Sequence, residues 1–202
     1  MVRITPKHVL LIKCVIHLVA LSYLIVHYYW AFTDNLGADP VKAIIHFTGM
    51  GSINLLLITL CVSPVAKKYR QANLMKTRRL LGLYTAFYAL CHISNYLFFD
   101  LQFDWGNLLQ DIIKRPYITV GFLSFVILVA LSITSPSAIQ RAMKRTWQKL
   151  HNYVYLSLVL GITHYLWSLK TLTTEPLIYL LMSCFLLYLR KDKITLFKRR
   201  VT

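Results

Sequence analysis

Apolar residues in this chain do not alternate with polar ones at a strand or surface-helix period; they run on in long blocks. The blocks fall at about 9–32, 46–66, 80–101, 117–134, 150–169 and 177–189. A helix crosses the roughly 30 Å hydrocarbon core of a bilayer with about 20 apolar residues, so most of these blocks suffice. The last is short, and alone it is ambiguous between a span and a buried segment. The pattern predicts an all-α integral membrane protein: a six-transmembrane-helix bundle forming one domain over residues 1–202, with short connections and no internal repeat. Pro40, Pro116 and Pro176 stand near helix starts, where a missing N–H costs nothing. The first block runs too long for a cleavable signal and has no small-residue cleavage site. The loop over residues 100–115, with Trp105 and the pair Ile112 and Ile113, reads as a short interfacial helix.

Charge orients this bundle. The 202 residues are 57% apolar and carry a net charge of +16, but the basic residues are confined to the gaps between blocks, so nucleic-acid binding is not expected. Of the 23 Lys and Arg, all except Lys42, Lys114, Arg115 and Lys170 lie in the N-terminal stretch, in 67–79, in 141–149 and in the tail from Arg190. Cytoplasmic connections are the Lys/Arg-rich ones, so six spans put both termini in the cytoplasm. The outer loops keep Asp34, Asp39, Asp100, Asp104, Asp111 and Glu175. Trp30, Trp105, Trp147 and Trp167 fall near helix ends, as an aromatic belt requires.

The cysteines, Cys14, Cys61, Cys91 and Cys184, lie inside apolar blocks without metal-ligand spacing. No C-x-x-C-H is present, which excludes covalently attached c-type haem. No iron–sulfur cysteine set and no G-x-G-x-x-G occurs, so electrons would come from a partner or a membrane-soluble donor.

Histidine carries the candidate chemistry. An imidazole in hydrocarbon is costly and marks a functional site by default, with proton relay and metal ligation its commonest uses. His92, His151 and His164 all lie within or at the edge of apolar blocks. Counted inward from the nearest boundary residue, His92, His164 and His46 fall in the outer half of the bilayer, and His151 close to the inner face. A bis-histidine b-type haem needs two imidazoles at equal depth on neighbouring helices, and His92 and His164 satisfy that expectation. Two nitrogen ligands leave iron no open position, which favours electron transfer over oxygen chemistry. His151 and His164, thirteen residues apart on one expected helix, would be separated by roughly 20 Å. A second haem at the inner face would need a partner for His151, and His17 is the histidine nearest in depth. The bland alternatives stay open: polar contacts to Ser, Thr or Tyr for His92 and His164, and an interfacial side chain for His151. His46 is a candidate outer ligand or a donor behind one, whereas His8 and His27 read as structural. Arg115 could pair with haem propionates outside; Arg78 and Arg79 could do so inside, or meet a flavin phosphate or quinone oxygen.

Several strings then carry a resemblance: TRRLLGL at 77–83 through LCH at 90–92, WQKLHN at 147–152 and HYLW at 164–167. These resemble the ferric-reductase-like transmembrane domain. LGADPVK at 36–42, HFTG at 46–49 and KRPYIT at 114–119 narrow the likeness to the MsrQ (YedZ) family. That resemblance implies a multi-pass protein of the bacterial inner membrane containing haem b, one or two per chain, and FMN. It implies electrons arriving from the quinone pool or a cytosolic flavin reductase. They would leave to a periplasmic molybdopterin-containing methionine sulfoxide reductase, MsrP, which repairs oxidised envelope proteins. His92, His151 and His164 match the family's haem-linked positions. Relatives with two stacked haems carry two histidines on each of two helices; this chain has one on the third helix, and no residue pattern marks an FMN site.

Two rival readings are a stand-alone transmembrane ferric or quinone reductase and a transporter with a histidine proton relay. Against the second, every acidic residue lies in a loop or tail.

Overall fold

The computed structural model describes residues 3–169, 171 and 173–191, without the side chains of Asn107 and Leu108; Lys170 and the tail beyond Lys191 lie outside the described residues. Each apolar block is largely helical, and no strand occurs among the described residues. The helices are α1 (Pro6–Phe32), α2 (Pro40–Lys68), α3 (Arg78–Asn95), α4 (Trp105–Lys114), α5 (Pro116–Ile133), α6 (Ser137–Met143), α7 (Arg145–His151), α8 (Val154–Ser168) and α9 (Thr174–Tyr188). A 3-10 turn, Ala72–Thr77, precedes α3, and a π-helical turn, Tyr96–Asp100, extends it. By length and composition, α1, α2 and α5 can each cross a membrane, and α9 is a shorter apolar helix.

Local sequence explains most helix starts. Thr5 caps α1 and exchanges hydrogen bonds with His8, accepting at Oγ1 from the His8 N–H and donating its own N–H to His8 Nδ1. His8 is therefore a capping residue, as its structural reading anticipated. Asp39 caps α2 by accepting from Lys42 N at 3.0 Å, and Pro40 follows at the first helical position. That cap starts α2 six residues before the apolar block does. The Lys42 ammonium and backbone N–H hold the Asp39 carboxyl below its ordinary range. Pro116 likewise stands at the start of α5, where Arg115 occupies the N-cap position without a side-chain cap bond.

The chain divides into two compact units, Met1–Leu108 and Leu109–Thr202, with the boundary along the chain falling inside α4. In the first unit α1, α2 and α3 run alternately up and down. His17 pairs with Tyr84, Ala20 with Tyr88 and Tyr28 with Asn95, so numbers rise together and α1 and α3 are parallel. Ile45 pairs with His92 and Ser52 with Thr85, so numbers run oppositely and α2 is antiparallel to α3. Ala20, Leu24, Tyr84 and Tyr88 form the core between α1 and α3. Leu11, Leu18 and Ile25 of α1 point outward with more than 60% of their surface exposed, a pattern suited to a lipid surround.

In the second unit α5 and α8 form an antiparallel pair, and α9 packs on α8 with Tyr165 and Tyr179 edge to face. Here the structure departs from the single helix expected over 150–169. At Asn152 and Tyr153 the backbone tightens: Tyr153 N bonds Leu150 O and Tyr155 N bonds Asn152 O, both three-residue steps. His151 therefore closes α7, while His164 belongs to α8. Asn152 and Tyr153 keep right-handed helical dihedrals, so the chain passes from α7 into α8 through a tightened turn.

Two connections take unusual shapes. α4 forms where an interfacial helix was expected, and Trp105, Leu109 and Ile113 make an exposed apolar stripe at four-residue spacing. Between α6 and α7, Lys144 adopts φ 49° and ψ −121°, a region that suits glycine. Lys144→Gly is expected to raise the thermal midpoint in detergent, by an amount corresponding to about 1 kcal/mol, read by differential scanning fluorimetry.

Candidate functional site: two histidine-bearing helix pairs

His92 lies near the end of α3, facing the first turns of α2. Its Nδ1 is 2.8 Å from the carbonyl oxygen of Ile45. A carbonyl can only accept, so Nδ1 carries the hydrogen, and a neutral imidazole then has Nε2 unprotonated. That tautomer, with Nδ1–H anchored on a backbone carbonyl, is the form in which histidine presents Nε2 to a metal. Thr48 Oγ1 donates to the Ile44 carbonyl at 2.8 Å and is shared with the Ile45 carbonyl at 3.1 Å. Thr48 in turn accepts from Asn95 Nδ2 at 3.3 Å, and Tyr28 donates to Asn95 Oδ1 at 2.7 Å. A buried polar chain thus links α1, α3 and α2 at the anchor of His92.

The second unit repeats the arrangement. His164 Nδ1 donates to the carbonyl of Tyr117 at 2.7 Å. Behind each histidine the neighbouring helix offers a glycine: a Cβ built on Gly49 would lie 3.0 Å from His92 Nδ1, and one on Gly121 would lie 2.6 Å from His164 Nδ1. Two turns along, Ser52 Oγ donates to the Thr85 carbonyl at 3.0 Å, and Ser124 Oγ to the Ser157 carbonyl at 2.9 Å. Every partner recurs 72 positions on, Ile45 to Tyr117, Gly49 to Gly121, Ser52 to Ser124, Thr85 to Ser157 and His92 to His164. The Ser63-Pro64 pair recurs as Ser135-Pro136 at the same step. An internal repeat therefore exists where none was expected. It escapes composition because the surrounding apolar residues interchange freely; only the spacing of Gly, Ser and His reveals it. Gly121 is the residue that sequence reasoning passed over.

His151 is held differently. Its Nε2 is 3.2 Å from Thr134 Oγ1, and its ring stacks on Trp147 with centroids 3.9 Å apart. Trp147 Nε1 donates to the Thr134 carbonyl at 2.8 Å. The repeat carries His151 onto Arg79, so α3 lacks a second histidine at the matching position. His17 Nδ1 is 2.6 Å from the Tyr84 hydroxyl. His46 is exposed on α2. His27 stacks on Phe47 with centroids 3.7 Å apart and bonds its own helix at Tyr23 O. Arg78 and Arg79 begin α3. Arg115, at the N-cap position of α5, pairs through Nε with Asp111 at 3.0 Å. Among the described residues no three His, Cys, Asp or Glu side chains gather as a metal cluster.

Outward-facing apolar helices with carbonyl-anchored imidazoles between them define an all-helical membrane protein. Residues 47–162 match the family described as ferric reductase like transmembrane component, more than half of the 202 residues. The chain belongs to that family. The matched segment contains His92, both repeat glycines and His151, and ends two residues before His164.

Proposed function

We propose that the chain is a haem b-containing electron-transfer subunit of the bacterial inner membrane, in which His92 and His164 would ligate the haem iron. The observation that carries this reading is the identical tautomer of the two imidazoles, each fixed through Nδ1 on a carbonyl of the adjoining helix. When bound, the haem iron supplies one-electron chemistry, and two nitrogen ligands suit it to electron transfer. The protein's part is to orient the imidazoles and fix their tautomer through Nδ1. A ligand role for His151 would require Nε2 to leave Thr134.

The finer reading is a six-span topology with both termini in the cytoplasm, supported by the distribution of Lys and Arg. Quinol or a cytosolic flavin reductase is the proposed donor, and Arg78 and Arg79 the basic pair proposed for a quinone oxygen or the phosphate of FMN. Periplasmic MsrP, a molybdopterin methionine sulfoxide reductase, is the proposed acceptor, and repair of oxidised envelope proteins the outcome. The likeness to the MsrQ (YedZ) family supports these assignments.

The test is purification in detergent with haem quantified per chain, oxidised and dithionite-reduced spectra, and reduction of MsrP by the quinol-treated protein. Sharp low-spin b-type bands and sulfoxide turnover are expected. A protein that stays colourless after haem supplementation would overturn the proposal and return the proton-relay reading.

A further inference from the structure

In α2 the carbonyl of Ile45 belongs to the helical step that ends at Gly49, and in α5 that of Tyr117 to the step that ends at Gly121. A helical Cα–Cβ bond tilts toward the helix N-terminus. A side chain at 49 or 121 would therefore lean over the very carbonyl that the histidine uses. The ideal Cβ positions lie 3.0 Å from both Nδ1 and Cε1 of His92, and 2.6 Å from Nδ1 and 2.8 Å from Cγ of His164. Real Cβ atoms essentially never come closer than 3.0 Å, so at His164 the ring must move. The serine three residues further on pins the partner helix two turns away, at the carbonyl seven residues before the histidine. Each helix pair is thus clamped at one point and relieved of a side chain at another.

We propose that Gly49 and Gly121 are positioning residues, a single device built twice, which set the ring orientation and the Nδ1–H tautomer of His92 and His164. The proposal deepens the assignment of those histidines as iron ligands and rests on it for its haem readouts. Other glycines behave differently. A Cβ on Gly82 or Gly161 meets nothing closer than 4.0 and 3.7 Å, and one on Gly51 strikes Tyr88 at 2.4 Å without touching a histidine. These three separate a histidine effect from a packing effect.

The experiment compares Gly49→Ala, Gly121→Ala, Gly51→Ala, Gly82→Ala and Gly161→Ala in full-length protein purified in detergent. The readouts are haem per chain, the electron paramagnetic resonance g values of the ferric state, and ring ¹⁵N shifts of labelled histidine in haem-free protein. Gly121→Ala is expected to lose more than half of its haem. Gly49→Ala is expected to keep most haem with a displaced largest g value. Both should show a second histidine tautomer. Gly82→Ala and Gly161→Ala should match the wild type, and Gly51→Ala should lower the thermal midpoint while leaving the g values in place. Wild-type g values and tautomers in Gly49→Ala and Gly121→Ala would overturn the proposal. So would a g shift in Gly51→Ala equal to that in Gly49→Ala. A wild type without haem would defeat the ligand assignment alone, since the ¹⁵N tautomer readout tests the glycines without it.

Discussion

His92→Ala and His164→Ala are each expected to abolish the sharp low-spin b-type bands and to cut electron delivery to the acceptor at least tenfold, whereas His151→Ala keeps most of the absorbance. The contrast follows from how the imidazoles are held. His92 and His164 donate through Nδ1 to backbone carbonyls that cannot rotate away, so the ring plane and tautomer are set by helix geometry. Alanine at either position takes away both the nitrogen donor and the ring that fills the space against Gly49 or Gly121. His151 engages a threonine hydroxyl through Nε2, and its loss should cost mainly the stack on Trp147. Reduced-minus-oxidised spectra with haem quantified per chain read all three variants. Loss of the bands in His151→Ala with retention in His92→Ala would reverse the assignment.

Asn95→Leu is expected to be the most destabilising single change away from the histidines. Asn95 is only 2% exposed, and its amide joins the Tyr28 hydroxyl on α1 to Thr48 on α2. Leucine breaks both bonds and leaves the half-buried Tyr28 hydroxyl without its amide acceptor, with only the Cys91 side chain beside it. Hydrogen bonds between membrane helices contribute about 0.6 kcal/mol on average and up to about 1.7 kcal/mol, and an orphaned buried polar group costs roughly 1–3 kcal/mol. A loss of about 2–4 kcal/mol is therefore expected from the two effects together. Thermal or denaturant titration in detergent measures it. Because Thr48 also donates to the Ile45 carbonyl that anchors His92, the same variant should disturb the His92 ring and not the His164 ring. Position 120, the counterpart of Thr48 in the repeat, is Val120, so the second unit has no such chain.

The approximate place of the long apolar helices could be read from the sequence because a segment in hydrocarbon must satisfy its backbone internally, whereas the start of α2 and the short helices α6 and α7 could not. The blocks, the prolines at helix starts, the short helix around Trp105 and the candidate histidines were all legible in this way. Most of what distinguishes the histidines from one another was not. Which ring nitrogen donates depends on a carbonyl 47 residues earlier, on another helix. The break after His151 reflects a local tightening at Asn152 and Tyr153, two residues with no breaker signature. Nothing in its local sequence separates Gly121 from other small residues in apolar runs; the restriction arises because a Cβ there would lie 2.6 Å from His164 Nδ1 on another helix. Composition and periodicity act along one helix, whereas the placement of an imidazole is decided where two helices meet.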